Sequence, residues 1–573
     1  MDRNTDFFGE EVGIFANRSQ LPTRTFTHKT SFNMGELIPF YTDSDILPSM
    51  TIKNTTAVLI RMSTPKYPIM DNIYLDTYYF KVPIQWIDPR FKQLMGENED
   101  GAWTDNMTTY ATPKIGFTRT ENGIVKHNSI LAYMGIPQGF GGSENNTMKI
   151  IRYPVNAYIR SYNYWFRDQN AIAPIKYIDT EGEITFYHPN DNIDEVQSTI
   201  RGGALLKAAK MHDYFTTALP QPQKGEPISL PLGTTAPVTI SGNGNVLGID
   251  AYDSAGTKLH AGTASLTSHG DYKSIGYRAQ AGYNPNGTNV GTGNLNALPW
   301  GGQIRVTTDT NYSGLIGTAN LTSATAATIN ALRLAAATQQ ILEGDARYGT
   351  MYQNVIRGHF GVTSDLESLH IPEYLGGKRI PINIETVLNN TADGLGDTGA
   401  FSVSFDVNED FTKSFTEHCV VIGIAVVRQE HTYQQGISRM WTRSERLDYY
   451  WPEMAHIGNQ PIYNYELYAQ GNDQDNEVFG YKEAWAEYKF KPSIVSGMMS
   501  SLYDQPLDAW HLGDNYSSLP VYGKQFIEED KQYLDRALEV TSGVSDQFIA
   551  DFFITQEITA NMPYHNYPGM HVL

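Results

Sequence analysis

The clearest pattern along the chain is a set of short apolar runs bounded by turn residues. Thr55–Ser63 reads Thr-Thr-Ala-Val-Leu-Ile-Arg-Met-Ser and Ile73–Val82 reads Ile-Tyr-Leu-Asp-Thr-Tyr-Tyr-Phe-Lys-Val. Both are β-branched or aromatic and flanked by Pro, Asn or Asp, which predicts paired strands within residues 51–87. Period-two alternation puts Ile73, Leu75, Thr77 and Tyr79 on one face and Tyr74, Asp76, Tyr78, Phe80 and Val82 on the other. Cys419–Val427 is apolar throughout, the signature of a central strand buried on both faces, and Phe548–Thr555 is a second late strand. Helical spacing occupies 323–347, where Leu334, Ala337, Ile341 and Leu342 fall at i, i+3, i+7 and i+8 and Thr322, Ser323 or Thr325 can cap the start. Shorter helices are expected near Phe91–Met95 and Gly203–Phe215.

These elements divide the chain into four stretches. Residues 1–50 show few periodic features and read as an extended N-terminal arm. Residues 51–233 hold the first strands and long aromatic loops. Residues 234–327 change in composition: they are rich in Gly, Thr, Ala, Asn and Ser, with Lys258, Lys273, Arg278 and Arg305 as their only Lys and Arg. Most connections run to about 4–6 residues, so a stretch this long reads as an inserted surface protrusion. Residues 328–573 hold the remaining strands, helices and a C-terminal segment. Strands in the first and last thirds with long loops between them suit an antiparallel barrel or sandwich with expanded connections, not alternating βαβ units. No fixed-period repeat is present.

Composition narrows the class. With 40% hydrophobic and 18% charged residues, the 573-residue chain is globular rather than disordered. The one cysteine, Cys419, excludes an intramolecular disulfide and reads as a small buried hydrophobe rather than a nucleophile. A net charge of -20 repels phosphate, so the chain is not a self-sufficient nucleic-acid binder. No apolar stretch approaches the ~20 residues of a membrane span, and the start lacks a basic segment followed by an apolar one, so folding in a cytoplasm is expected.

Candidate chemistry is sparse. No phosphate loop, dinucleotide fingerprint or G-x-S-x-G elbow occurs, and one Cys cannot build a zinc knuckle. Asp473-Gln-Asp475-Asn-Glu477 resembles the start of a calcium loop, but Val478 stands where the turn needs Gly and Ala484 where it needs Glu, so it reads as a solvated acidic turn. His212 and Asp213 are neighbours and do not face each other on a helix, which argues against a dyad. Tyr449-Tyr450-Trp451-Pro452 and Trp485 are able to stack sugars or bases, but buried packing or subunit contact is the commoner use of such residues. Arg3, Arg18, Arg24 and Lys29 are candidates to face nucleic acid.

Several segments, taken in order, resemble the gokushovirus (Microviridae) major capsid protein family. They are Phe26-Thr-His-Lys-Thr-Ser-Phe-Asn-Met-Gly-Glu-Leu-Ile-Pro39, Thr64-Pro-Lys-Tyr-Pro-Ile-Met-Asp-Asn-Ile-Tyr-Leu-Asp76, Trp165-Phe-Arg-Asp-Gln-Asn170, His212-Asp-Tyr-Phe215 and Ser229-Leu-Pro-Leu-Gly233. Downstream come Gly358-His-Phe-Gly-Val362, Pro372-Glu-Tyr-Leu-Gly-Gly377, Thr432-Tyr-Gln-Gln-Gly436 through Asp448-Tyr-Tyr-Trp-Pro452, Tyr468-Ala-Gln-Gly471, Glu477-Val-Phe-Gly-Tyr481 and Leu507-Asp-Ala-Trp-His-Leu512. The matches run over nearly the whole chain, and their gap falls on 234–327.

The resemblance implies a mainly β fold, an eight-stranded antiparallel jelly-roll barrel with long loop insertions and a few helices. It implies a T=1 bacteriophage shell of sixty copies around circular single-stranded DNA. It also implies an insertion between the fifth and sixth strands that projects outward at the three-fold axes toward a host receptor, for which Tyr272, Tyr277 and Trp300 are the receptor-facing candidates. Implied partners are other copies of the chain, a small basic DNA-binding peptide, internal scaffolding and DNA pilot proteins and the genome, with no cofactor, no membrane insertion and no enzyme activity. Sixty copies at -20 sum to about -1200, which by itself calls for a basic partner. The competing reading is a secreted carbohydrate-binding or glycan-cleaving β-sandwich, which needs a secretion route and two opposed carboxylates, neither of which the sequence offers.

Overall fold

The computed structural model describes residues 18–97, 127–137, 150–175, 203–228, 329–365, 369–388 and 398–565, with isolated residues and short strands between them. The strands of the two main sheets are, in chain order and apart from the short Ser19–Gln20, β1 (Arg24–Phe32), β2 (Ile38–Ile46), β3 (Thr51–Met62), β4 (Ile73–Pro83), β5 (Glu373–Gly376), β6 (Arg379–Pro381), β7 (Ser404–Ser414), β8 (Cys419–Gln429) and β9 (Phe548–Ala560). They form two open antiparallel sheets. The first has the order β1-β9-β3-β7, with Ser19–Gln20 also paired to β9. The second has β5 and β6 along β4, then β8, then β2. The fold is therefore mainly β with few helices.

The expectation that the two early runs pair with each other is wrong. Thr51–Met62 lies between β9 and β7 in the first sheet, and Ile73–Pro83 lies beside β8 in the second. Each is apolar on the face it turns to the other sheet, so burial is better served by stacking them face to face than by joining them edge to edge. Residues 24–46, read as part of an arm, supply one strand to each sheet.

Alternation decides what is buried. Ile73, Leu75, Thr77 and Tyr79 point between the sheets and are buried, as the pattern predicts. There they join Phe32, Phe40, Ile52, Ile60, Phe548, Phe552 and Ile558, with Phe40 and Phe552 stacked at 4.4 Å. The other face of β4 carries Phe80, which meets Tyr158, Ile159 and Tyr162 of the helix α1 (Tyr153–Ser161) and its extension. β8 is buried on both faces: Cys419, Val421, Ala425 and Val427 enter the core between the sheets, while Ile422, Ile424 and Val426 enter the core under α1. Among the described residues the outer face of the first sheet has no such cover, and Phe405, Val407, Ile549 and Phe553 are exposed on it.

Two helix expectations change. Gly203–Phe215 is not helical. Residues 203–210 run extended, because Gly35–Leu37 on one side and Ile527–Glu529 on the other take their backbone groups: Leu37 N donates to Leu206 O, Ala208 N to Gly35 O, Lys210 N to Ile527 O and Glu529 N to Ala208 O. The helix expected over 323–347 is α2 (Ile329–Tyr348), whose start and candidate caps Thr322, Ser323 and Thr325 lie outside the described residues. None of its residues is fully buried, and Leu334 and Ile341 of its apolar stripe are more than half exposed. The short helix near Phe91 is present as Phe91–Leu94.

The chain divides into two compact units, Met1–Glu226 with Ile341–Leu573, and Pro227–Gln340. The second contains, among the described residues, three small antiparallel sheets: Val238–Gly242 with Leu315–Ala319, Ile249–Tyr252 with Lys258–Leu259 and Gln303–Val306, and the hairpin Ser265–His269 with Tyr272–Gly276. It falls between β4 and β5. β4 is the fourth of these strands, and the fifth once the short strand Ser19–Gln20 is counted. No helix among the described residues is long and apolar enough to cross a membrane.

Candidate functional site

The 118 or so residues between β8 and β9 fold back on the segment 203–219 and form a third apolar core from Tyr214, Phe215, Tyr433, Ile462, Leu467, Phe479, Phe526 and Ile527. Beneath it lies a buried cluster of opposite charges. Lys210 Nζ is 3.1 Å from Asp514 Oδ2, His431 Nδ1 is 2.7 Å from Asp514 Oδ1, and His431 Nε2 is 3.2 Å from Glu529 Oε2. Tyr516 OH donates to Asp514 Oδ2 at 2.7 Å, and Lys210 Nζ donates to Tyr533 OH at 3.3 Å. Burial disfavours the charge on His431, but Asp514 and Glu529 outweigh it and push its pKa up to about 10. Burial likewise opposes the charge on Asp514, and His431 and Lys210 hold that carboxyl well below its ordinary value. The four charged side chains are 0–1% exposed. A group sealed this far from solvent cannot meet a substrate, so the cluster ties segments together rather than performing chemistry.

The sequence-derived candidates scatter. Arg18 donates to Thr51 Oγ1. Arg24, at the edge of the first sheet, pairs with Asp43 of the second at 3.1 Å, and Lys29 pairs with Asp551 on the neighbouring strand at 2.5 Å. Tyr272 lies on the Tyr272–Gly276 strand opposite His269, while Arg3, Tyr277 and Trp300 lie outside the described residues. In the acidic turn, Asp475 accepts from the Gln470 and Gly471 backbone amides at 2.9 and 2.7 Å, so its oxygens close the turn itself. Asp213 does the same for Phe215 and Thr216 and also accepts from Tyr433 OH, whereas His212 is exposed. Cys419 is fully buried, and burial pushes its thiol pKa up to about 12. A cleft of about 320 Å³ beside α1 is lined by Arg160, Arg167, Tyr164 and Tyr352 among others, and Arg167 gives its N–H groups to the carbonyls of Asn163 and Ile172. No group of His, Cys, Asp and Glu among the described residues has the arrangement of a metal site.

Surface aromatics form the most organised exposed feature. Tyr449, Tyr450 and Tyr488 are about half exposed, and Arg443 sits over Tyr488 at 4.5 Å and over Tyr449 at 5.5 Å. Arg446 lies over Trp451 at 4.7 Å. Trp485, the other aromatic of interest, is buried and supports Tyr450 edge-on at 5.7 Å.

A protein with a large buried charge lock, no accessible nucleophile among these candidates and broad exposed apolar faces has the physical profile of an assembly subunit, and comparison with known proteins decides its kind. The model of the capsid protein (F protein) family matches residues 13–570. The chain belongs to that capsid protein family. Capsid protein VP1 of Bdellovibrio phage phiMH2K is 35% identical over 561 residues, covering 96% of this chain and 95% of the relative. Capsid protein VP1 of Chlamydia phage 1 is 32% identical over 97% of this chain and 98% of its own length, and that of Spiroplasma virus 4 is 34% identical over 95% and 94%. The resemblance read from the ordered motifs thus stands, and this capsid protein is a structural component of a phage virion.

Sequence reasoning missed the Lys210–Asp514–His431–Glu529 cluster. Its members lie up to about 320 residues apart, and no local spacing brings them together. The nearest signal was His431 standing two residues beyond the end of β8, whose run Cys419–Val427 is apolar throughout.

Proposed function

We propose that this capsid protein folds its two sheets into an eight-stranded jelly roll and that sixty copies close into a T=1 shell around single-stranded DNA. The observation that carries the jelly-roll reading is strand order. With β5 and β6 counted as one broken strand, the first sheet runs first-eighth-third-sixth and the second fifth-fourth-seventh-second. That interleaving is what results when a long antiparallel ribbon is rolled up, as in the double-sheet jelly roll with its two Greek keys.

The role is structural and non-catalytic. Two of the strongly shifted buried groups, His431 and Asp514, are sealed in ion pairs. The net charge of -20, with Arg24 and Lys29 neutralised inside the chain, supports a separate basic partner for the genome. Residues 234–327 project outward and meet the host, with Tyr272, Tyr277 and Trp300 as candidates. Their polar, Gly- and Asn-rich composition and their membership of a separate compact unit support this.

Electron microscopy of particles from the expressed chain is the test. Uniform shells whose reconstruction holds sixty jelly rolls are expected; isolated monomers overturn the reading. Particles lacking 234–327 are expected to form and to fail in infection, and loss of particles on that clean deletion counts against the surface role.

A further inference from the structure

We propose that the exposed patch formed by Arg446, Leu447, Tyr449, Tyr450 and Tyr488, with the largely buried Arg443 paired to Glu487 beneath it, is a contact surface for a second copy of this chain. The proposal rests on the assembly reading above. Its starting point is that the patch is exposed and yet held rigid. Leu447 is 62% exposed. The loop beneath it is closed by Asp448, whose carboxylate accepts from the backbone N–H groups of Ser444 and Glu445 at 2.8 Å each, while the Glu445 carboxylate caps the other end of the same turn. Trp451 Nε1 donates back to Arg446 O at 3.1 Å, and the Tyr450 backbone N–H donates to Tyr488 OH at 3.4 Å.

The support below is equally fixed. Trp485 holds a φ of 65°, a region that side chains with a Cβ avoid. In that conformation its backbone N–H reaches Gln460 Oε1 at 3.2 Å, its indole N–H reaches Met454 O at 3.0 Å, and its ring meets both Tyr450 and Tyr488. Backbone strain of this kind persists where the surroundings over-determine it, and here its effect is to hold exposed rings in place. Water does not reward that. A partner does, because anchors already ordered lose little entropy on binding.

Three observations commit the patch to a second copy. Its composition of Tyr, Trp and Arg is that of protein–protein hot spots. Its charge complements the chain itself: Arg446 has no carboxylate within ion-pair range among the described residues, and every copy carries a net charge of -20. Its anchors are grouped as well. Trp441, 76% exposed, stands on the same loop beside the half-exposed rings and Leu447, so several large apolar anchors lie close together.

The test uses the full-length chain and the variant pair Arg446→Glu with Leu447→Asp. Both positions are exposed, so the variant keeps the far-UV circular dichroism of the parent and an unreactive Cys419 thiol. The parent is expected to sediment as shells and the folded variant as free subunits; shells at parental yield from the variant overturn this inference alone. A parent that forms no shell overturns the assembly reading and this inference together. Should the variant lose its fold, amide hydrogen exchange of the parent decides: residues 444–451 and 486–490 are expected to exchange about tenfold more slowly in shells than in dissociated subunits. Equal rates overturn the proposal, and slowing confined to DNA-filled particles overturns it in favour of nucleic acid as the occupant.

Discussion

His431 touches two carboxylates at once, Asp514 through Nδ1 at 2.7 Å and Glu529 through Nε2 at 3.2 Å, so it is an imidazolium with both ring protons donated. Its raised pKa has a definite sign in stability. The folded state holds the proton up to about 10, whereas an unfolded chain releases it near 6.5. The stabilisation is complete below the lower value and drains away as pH rises through the window to the upper one. The melting temperature of dissociated subunits is therefore expected to fall between pH 7 and 10. His431→Gln, which leaves Glu529 buried without its partner, is expected to lower stability by about 3–5 kcal/mol and to flatten that slope, read by thermal unfolding at several pH values.

Asp76 concentrates two cations. Arg379 Nε lies 2.7 Å from its Oδ1, and Arg428 also reaches its Oδ2, from the strand next to it. Asp76→Asn is expected to destabilise by about 2 kcal/mol, less than a fully enclosed pair because Arg379 is half exposed. Urea titration checks this, and a change below a few tenths of that would show the triad to be idle.

Gly436 lies against another stretch of backbone. A Cβ there would stand 1.9 Å from Glu466 O, an approach no side chain tolerates. Gly436→Ala is expected to cost more than about 2 kcal/mol and to loosen the loop layer before the sheets, visible as early hydrogen exchange around 462–467.

Cys419 is shielded by both its burial and its raised pKa. A thiol reagent at neutral pH is expected to leave native particles unmodified and to label the chain fully once denatured. Stoichiometric labelling of intact particles would contradict the placement of β8.

How much of this was legible depends on what sets each element. β8 was readable because burial on both faces leaves no polar position between Cys419 and Val427. The faces of β4 were readable because alternation is a local property. Which strands pair is not local: ten residues link Met62 to Ile73, and nothing in them says that the chain crosses to the opposite sheet. The stretch Ala204-Leu-Leu-Lys-Ala-Ala209 has high helix propensity, yet backbone groups from residues 35–37 and 527–529 hold it extended, a tertiary override of propensity. The buried cluster was illegible for the same reason. The aromatic patch was half legible: Tyr449, Tyr450 and Trp451 stand out in sequence, while the arginines and Trp485 that fix them are identified by geometry.

The pairing of β1 with β9 sets Phe32 opposite Phe548 and Arg24 opposite Gln556. A nascent chain therefore carries an unsatisfied first strand until more than five hundred further residues have left the ribosome, a wait on the order of a minute at ~5–20 residues per second. A prematurely terminated product lacks β9, which sits between β1 and β3, and so cannot complete the body that other copies would have to recognise. Completion of the first sheet thus waits on completion of the chain.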